Sequence, residues 1–317
     1  MLYKHIQLIL EVSIIKTTPN IQKANLITHS GIFHADDVMA TVILEKLLGN
    51  VTVCRVLEIP QNLKSHVIVY DIGGGEFDHH QKGGNGIRKN GVPYAASGLI
   101  WKKYGRVVIK KYVQHTNFNE VLDSVDKMLI QGIDATDNGV INNSIGQGVS
   151  TMSICQLISN YNPLWDEYES YDEAFVKACR VAEETFSNVM KKAISSCKAK
   201  SYVQESIEKS SKHIMILDKF VPWQRHLYLS TNPKAIDIWF VIYPSLRGGY
   251  NWQVVTTDLK QHIPMKAVPD NWLGLKGREY QEVTGVKTAL FCHHGGFVGA
   301  AETKEDAIRL AQIAITS

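Results

Sequence analysis

The sequence predicts an α/β protein, with an N-terminal parallel sheet carrying helices on both faces and a smaller C-terminal α/β unit. Three observations predict this. Short β-branched apolar runs alternate with segments of helical spacing, the pattern of βαβ units. The 317 residues exceed one ordinary domain and suggest about two. A charged helical stretch from 171 to 210 separates two such alternations, with no internal repeat or low-complexity segment.

Each element has its own signal. ANLITHSG (24–31) reads as a buried strand ending in polar side chains. In DDVMATVILEKLLG (36–49), Val38, Ile43, Leu47 and Leu48 fall at helical spacing, two acids open the segment and Gly49 closes it. VTVCRV (51–56) is a β-branched strand, and HVIVYDIGGG (66–75) is another that runs into glycines. YAASGLIWKKYG (94–105) is helical, with Lys102 and Lys103 expected in its last turn. NEVLDSVDKMLIQGIDATDNG (119–139) is an amphipathic helix entering a polar elbow. After the long helical stretch, HIMILD, IDIWFVIYP, YNWQVVTTD and TALFCHHGGFVGA read as strands. TKEDAIRLAQIAI closes the chain as a helix, with Thr303 as N-cap and Glu305 and Asp306 in its first turn. The expected organisation is an extension over 1–24, a first domain over 25–160, a helical connector over 161–210 and a C-terminal domain over 211–317.

Composition removes several classes. Thirty-four basic against 31 acidic residues give a net charge of +3, which neither demands nor excludes nucleic acid. A duplex binder is usually more basic, whereas a nuclease needs only a local groove. The apolar runs are strand-sized, short of the roughly 18 residues of a membrane span, so no membrane partner is expected. IQLILEVSII near the start is interrupted by Glu11 and lacks a small-residue cleavage site, so it reads as an extension or early strand. Five widely spaced cysteines without a C-x-x-C pair argue against a disulfide framework or zinc knot, and fit a reducing cytoplasm.

Three clusters carry the chemistry. THSGIFHADD supplies His29, His34, Asp36 and Asp37; DIGGGEFDHH supplies Asp71, Asp78, His79 and His80; GIDATDNG supplies Asp134 and Asp137. Each alone reads as structural: an exposed histidine pair, or a helix C-terminal turn. A dinucleotide loop is excluded, because no G-x-G-x-x-G follows the strand. Together, at strand ends where open α/β sheets bind ligands, the clusters favour metal. Imidazole and carboxylate without thiolate suit Mn(II), Fe(II), Co(II) or Zn(II). The donors outnumber one coordination shell, and two ions about 3.5–4 Å apart would use them, with Asp71 bridging.

These motifs, in this order, resemble the DHH phosphoesterase superfamily, and more narrowly the Myg family of metal-dependent exonucleases. ASGLIWKKYG, DATDNG, NPLW (162–165), VPWQRHL (221–227), MKAVPDNWLGL (265–275) and HHGGFVGAAETKEDAIRLA (293–311) extend the similarity over nearly the whole chain after residue 25. Two positions depart from the family pattern, Asp37 for a residue that is often Glu and Lys266 for an arginine. The resemblance implies a DHH-type catalytic domain holding two divalent ions, Mn(II) first among them. It implies that His29, His34 and Asp36 ligate the first, that Asp71 bridges, and that His79 ligates the second. His80 would be a neighbouring ligand or the acid at the leaving oxygen. Asp37 and Asp78 would stand behind the ligands, Asp78 fixing a histidine tautomer. Asp134 and Asp137 both stay open for the fourth motif, with DNG favouring Asp137.

For the C-terminal domain the resemblance implies a substrate grip by His293, His294, Gly295 and Gly296, and the glycines would let backbone N–H groups approach an anion. Arg225 and Arg247 are candidate phosphate contacts. Trp223, Trp239, Trp252 and Trp272 are candidate stacking faces, at least half of them core. The expected activity is two-metal activation of water for 3′–5′ exonuclease cleavage of single-stranded nucleic acid, RNA before DNA. The alternatives are hydrolysis of pyrophosphate or short oligonucleotides, and a non-catalytic nucleic-acid-binding module. Homodimerisation stays open.

Overall fold

The computed structural model describes residues 14–113, 117–141, 151–258 and 263–317. Most of IQLILEVSII lies outside the described residues. The chain divides into two compact units, Met1–Ile194 and Ser195–Ser317.

The first unit contains β1 (Ile15–Thr17), β2 (Leu26–His29), α1 (Ala35–Leu48), β3 (Val51–Val56) and β4 (Ile68–Val69). These strands form one wholly parallel sheet in the order β1-β3-β2-β4. Ile15 lies opposite Val51, so part of the segment expected as an extension is an edge strand. The apolar run at 66–70 contracts to a two-residue strand, although Tyr70 still donates its N–H to the Ile27 carbonyl (3.0 Å). Asp71 then leaves the ladder with φ +57°, a left-handed conformation uncommon outside glycine, asparagine and aspartate. Helix α1 is buried at every position from Ala35 to Glu45, as expected of a helix packed on several sides.

Four further helices follow: α2 (Ala96–Tyr112), α3 (Phe118–Val125), α4 (Gln131–Asp137) and α5 (Ile154–Ser159). A π-helical turn, Asp126–Ile130, joins α3 to α4 without a break. Helix α2 runs seven residues past the expected stop at Gly105. That glycine is an interhelical contact, because a Cβ there would lie 2.6 Å from Leu122 Cδ1 and 2.7 Å from Trp101 Cδ2. Lys102 and Lys103 therefore sit mid-helix. The long α6 (Tyr171–Glu208) fulfils the expected helical stretch and has residues in both units. In the first unit its Phe186 meets Trp101 edge-on at 5.6 Å.

The second unit contains β5 (Ile214–Ile216), α7 (Gln224–Tyr228), β6 (Phe240–Pro244), β7 (Tyr250–Val254), α8 (Gly277–Thr284), β8 (Ala289–Cys292), β9 (Val298–Ala301) and α9 (Lys304–Thr316). The sheet order is β5-β6-β7-β9-β8, with β5 and β6 parallel and the remaining pairs antiparallel. One sheet face packs Phe240, Ile242 and Trp252 with Trp272, Tyr280 and the small α9 residues Ala307, Ala311 and Ala314. On the other face, Val241 and Tyr243 pack with Val203, Ile207, Trp223 and Leu227. Trp223, Trp252 and Trp272 are thus buried, and Trp239 is stacked on His213 at 3.7 Å. None of the four is a free stacking platform. Among the described residues no helix is long and apolar enough to cross a membrane.

Gly105→Ala sets two effects against each other. Alanine gains about 1 kcal/mol of helix propensity, but overpacking a filled contact costs about 1–3 kcal/mol. Urea unfolding is expected to show net destabilisation; a stabilised variant would mean that Leu122 and Trp101 yield freely.

Candidate metal centre

The carboxyl ends of β2 and β4 put His29 and Asp71 side by side. The Asp71 Oδ2 atom lies 3.3 Å from His29 Nε2, while its Oδ1 lies 3.3 Å from His79 Nδ1 and 3.5 Å from His80 Nδ1. The first turn of α1 adds Asp36 and Asp37, where the helix N-terminus favours negative charge. Asp37 divides its oxygens: Oδ1 accepts from the His34 and Val38 amides (2.9 and 2.8 Å), and Oδ2 faces His29 Nε2 at 3.3 Å. Asp137, at the end of α4, meets His79 Nε2 at 2.8 Å. Three groups of donors are close enough to hold a cation: Asp71 with Asp78, His79 and His80; His29 with Asp37 and Asp71; His34 with Asp36 and Asp137. Asp71 belongs to two of them. His29 thus groups with Asp37 and Asp71, not with His34 and Asp36.

Asp36 shows that the residues fit a cation. It is completely buried, and no donor among the described residues reaches either carboxylate oxygen. Asp137 is beside it, and two carboxylates can bond only by sharing a proton. Burial, then the charges of Asp71, Asp137 and Asp37, push the Asp36 carboxyl well above its ordinary range. Burial also pushes Asp37 up, to about 7, against the opposing pull of His29. At Asp71 burial acts in the same direction but is outweighed by hydrogen bonds from His29 and His79, so its pKa lies low. A divalent cation relieves such carboxylate crowding directly.

Local structure fixes these side chains. Asp78 organises its loop, accepting the Gly74 amide on Oδ2 (2.6 Å) and the His80 amide and Nδ1 on Oδ1 (2.9 and 2.8 Å). This holds the exposed His80 ring with Nε2 left over. Arg55 donates to the Gly31 carbonyl (2.7 Å) from between Phe33 and Phe175. Asn162, in the NPLW stretch, bonds both backbone groups of Phe33 (3.0 and 2.9 Å). Together they pin the loop between His29 and His34.

Asp134 is not brought to the cluster. Its carboxylate receives Arg88 Nη2 at 2.7 Å, Ser97 Oγ at 2.7 Å and the Gly98 amide at 3.1 Å. Burial raises it to about 6 in spite of these partners. Gly98 has to lack a side chain, since a Cβ would lie 1.8 Å from Asp134 Oδ2. Arg88 also grips Asp126 through Nε and Nη2 (3.0 and 2.7 Å), spanning the π turn from its first residue to α4. Eight residues of α-helix would leave Asp126 and Asp134 about 80° apart around the axis. The wider π turn takes up that rotation. Arg88 gave no sequence signal beyond an arginine in a glycine-rich loop; Ser97 and Gly98 were visible only as part of ASGLIWKKYG.

In the second unit, HHGG is a tight hairpin turn between β8 and β9. The Gly295 amide donates to His293 Nδ1 (3.0 Å) and the Gly296 amide to the His293 carbonyl (2.8 Å). Both N–H groups donate within the turn. His294 is exposed and His293 partly so. Arg225 lies exposed on α7, and Arg247 is exposed in the turn after β6.

A parallel α/β sheet with a buried carboxylate–imidazole cluster at its carboxyl ends defines the class: an α/β protein with an acidic–histidine cluster whose donors could hold a cation. The family described as an uncharacterised protein family (UPF0160, MYG1_exonuc) matches residues 25–315, and the chain belongs to it. The MYG1 protein C694.04c of Schizosaccharomyces pombe is 30% identical over 91% of this chain and 96% of its own length. The MYG1 protein YER156C of Saccharomyces cerevisiae is 29% identical over 91% and 94%. The MYG1 exonuclease of Mus musculus is 28% identical over 90% of this chain and 83% of its own length. No solved structure matches the chain.

Two measurements test the centre. Arg88→Ala leaves the buried Asp134 carboxylate unpaired, at a cost of about 3–5 kcal/mol in denaturant unfolding, whereas Arg88→Lys recovers part of it. The second concerns pH. Burial opposes protonation of His29 and His79, but Asp71 with Asp37, and Asp137 with Asp71, outweigh it and raise them to about 9 and about 10. Each binds more protons folded than unfolded, so its stabilisation is complete below about pH 6.5 and is lost as pH rises through those values. The metal-free chain should therefore melt progressively lower between about pH 6.5 and 10, and added Mn(II) should bind more tightly over the same interval by displacing those protons. A flat melting profile there would contradict the assignment.

Proposed function

We propose that the chain is a divalent-metal-dependent phosphoesterase of the DHH type, acting as a 3′–5′ exonuclease on single-stranded nucleic acid, RNA before DNA. The burial of Asp36 with both oxygens unpartnered, among Asp37, Asp71, Asp137 and the histidines, is the observation that carries this reading. The mouse relative's description as an exonuclease supports it. Divalent ions there, Mn(II) first among candidates, would acidify a water and offset phosphoryl charge.

The chain's own residues divide the work. Asp71 turns one oxygen to His29 and the other to His79 and His80, the arrangement of a bridging ligand. His29, with Asp37, serves one side of it and His79, with His80, the other; His34, Asp36 and Asp137 form a third donor group, joined to His79 through Asp137. Asp37 supports His29 while capping α1. His80, held by Asp78 through Nδ1, presents Nε2 outward, where it can donate a proton to a leaving oxygen.

Oligonucleotides labelled at the 5′ end, with free or blocked 3′ ends, test direction. RNA, DNA and pyrophosphate arms in Mn(II) test substrate. Stepwise loss from free 3′ ends is expected, and Asp36→Asn or Asp71→Asn should lower it roughly a hundredfold to a thousandfold with loss of bound metal. Turnover of pyrophosphate alone would sink the nuclease reading.

A further inference from the structure

We propose that an open trough on the second unit's sheet is a binding site for the bases of single-stranded nucleic acid, with Arg247 as its phosphate contact. This rests on the phosphoesterase reading for its choice of ligand, but on separate residues for its existence. The trough is about 540 Å³. Its floor is a single cross-strand row, since Tyr243 pairs with Asn251, Asn251 with Ala300 and Ala300 with Phe291. Strands about 4.8 Å apart put the two ends of this row about 14 Å from each other. Ala300 is the low point between them.

The trough stays open because the cover on this face stops short. Trp223 and Leu227 pack over Val241 and Tyr243. Beyond them, Asn251, Val298, Ala300 and Phe291 line the trough. Phe220 leans on Tyr243 at 5.2 Å and is 54% exposed; Phe291, at the opposite end, is 37% exposed. Two exposed rings facing a polar-and-apolar floor suit planar bases, which stack on any aromatic face. The Asn251 amide, which also bonds the Tyr243 side chain, has further donor and acceptor capacity for a base edge. Tyr243 OH is already committed to Gln253 Oε1 (2.7 Å), which holds that ring in place.

Charge selects the ligand. Among the twelve residues lining the trough, Arg247 is the single charged side chain and none is acidic. It forms no ion pair among the described residues, and its turn is built on Gly248 and Gly249 at φ +93° and +69°. A lone guanidinium beside exposed aromatics complements a phosphate-linked base rather than an apolar peptide.

Fluorescence anisotropy of a labelled single-stranded RNA, on the full chain in chelator so that nothing is cleaved, tests this. Phe291→Ala and Arg247→Ala, both at exposed positions, are each expected to weaken binding on the order of tenfold. Arg247→Ala should also flatten the salt dependence by roughly one counterion. Hydrolysis of a small chromogenic phosphodiester in Mn(II) should be unchanged in Phe291→Ala. Unaltered RNA binding in both folded variants, or weakening of an apolar peptide's binding instead, overturns the trough. Failure of the wild type to hydrolyse the small diester overturns the phosphoesterase reading and leaves the binding result standing.

Discussion

Mutual repulsion among buried carboxylates is the constraint on which the first unit is organised. Asp36, Asp37, Asp71 and Asp137 converge with little water to screen them, and protein hydrogen bonds satisfy only part of their oxygens. Such a cluster persists because the scaffold around it is over-determined. The parallel strands fix His29 and Asp71 at adjacent ends, and the α1 N-terminus offsets some of the negative charge. A cation would offset the remainder, and its binding would then be linked to folding.

The polar residues that do not face the cluster are its supports. Arg88 ties the π turn to Asp134, and Asp134 in turn ties α4 to the start of α2 through Ser97 and Gly98. Arg55 and Asn162 perform the same service for the loop leading into α1. Each is a buried or half-buried group whose hydrogen bonds end on backbone or carboxylate. Their energetic role is to make one arrangement of the donors much better than its neighbours.

Much of this was legible in the sequence. β3 and α6 fall where β-branched and helical patterns put them, and the three acid–histidine clusters at strand ends were visible as motifs. What escaped had a common cause: a residue type with one local meaning was used for another. Gly105 looked like a helix stop but serves a helix contact. Asp134 stayed open as a ligand beside the favoured Asp137, yet an arginine 46 positions earlier claims it, a pairing that no local pattern encodes. The glycines after His294 signalled backbone freedom correctly, and the chain spent that freedom on a hairpin. The tryptophans signalled aromatic surface, while the hydrophobic effect took most of them into the core.

The π turn has a consequence for how this chain tolerates change in length. A wide turn amounts to surplus backbone stored inside a helix, and it sets the phase of everything downstream. Removing a single residue between 126 and 130 would let the run revert to ordinary α-helix, and the roughly 100° lost with that residue is about what the wide turn had already taken up, so Asp137 would keep its bearing about the axis. Most helices lose phase with any change in length; here a deletion within the turn is the change that can be absorbed, whereas one further residue added in the α-helical part would swing the last carboxylate about 100° away from the cluster.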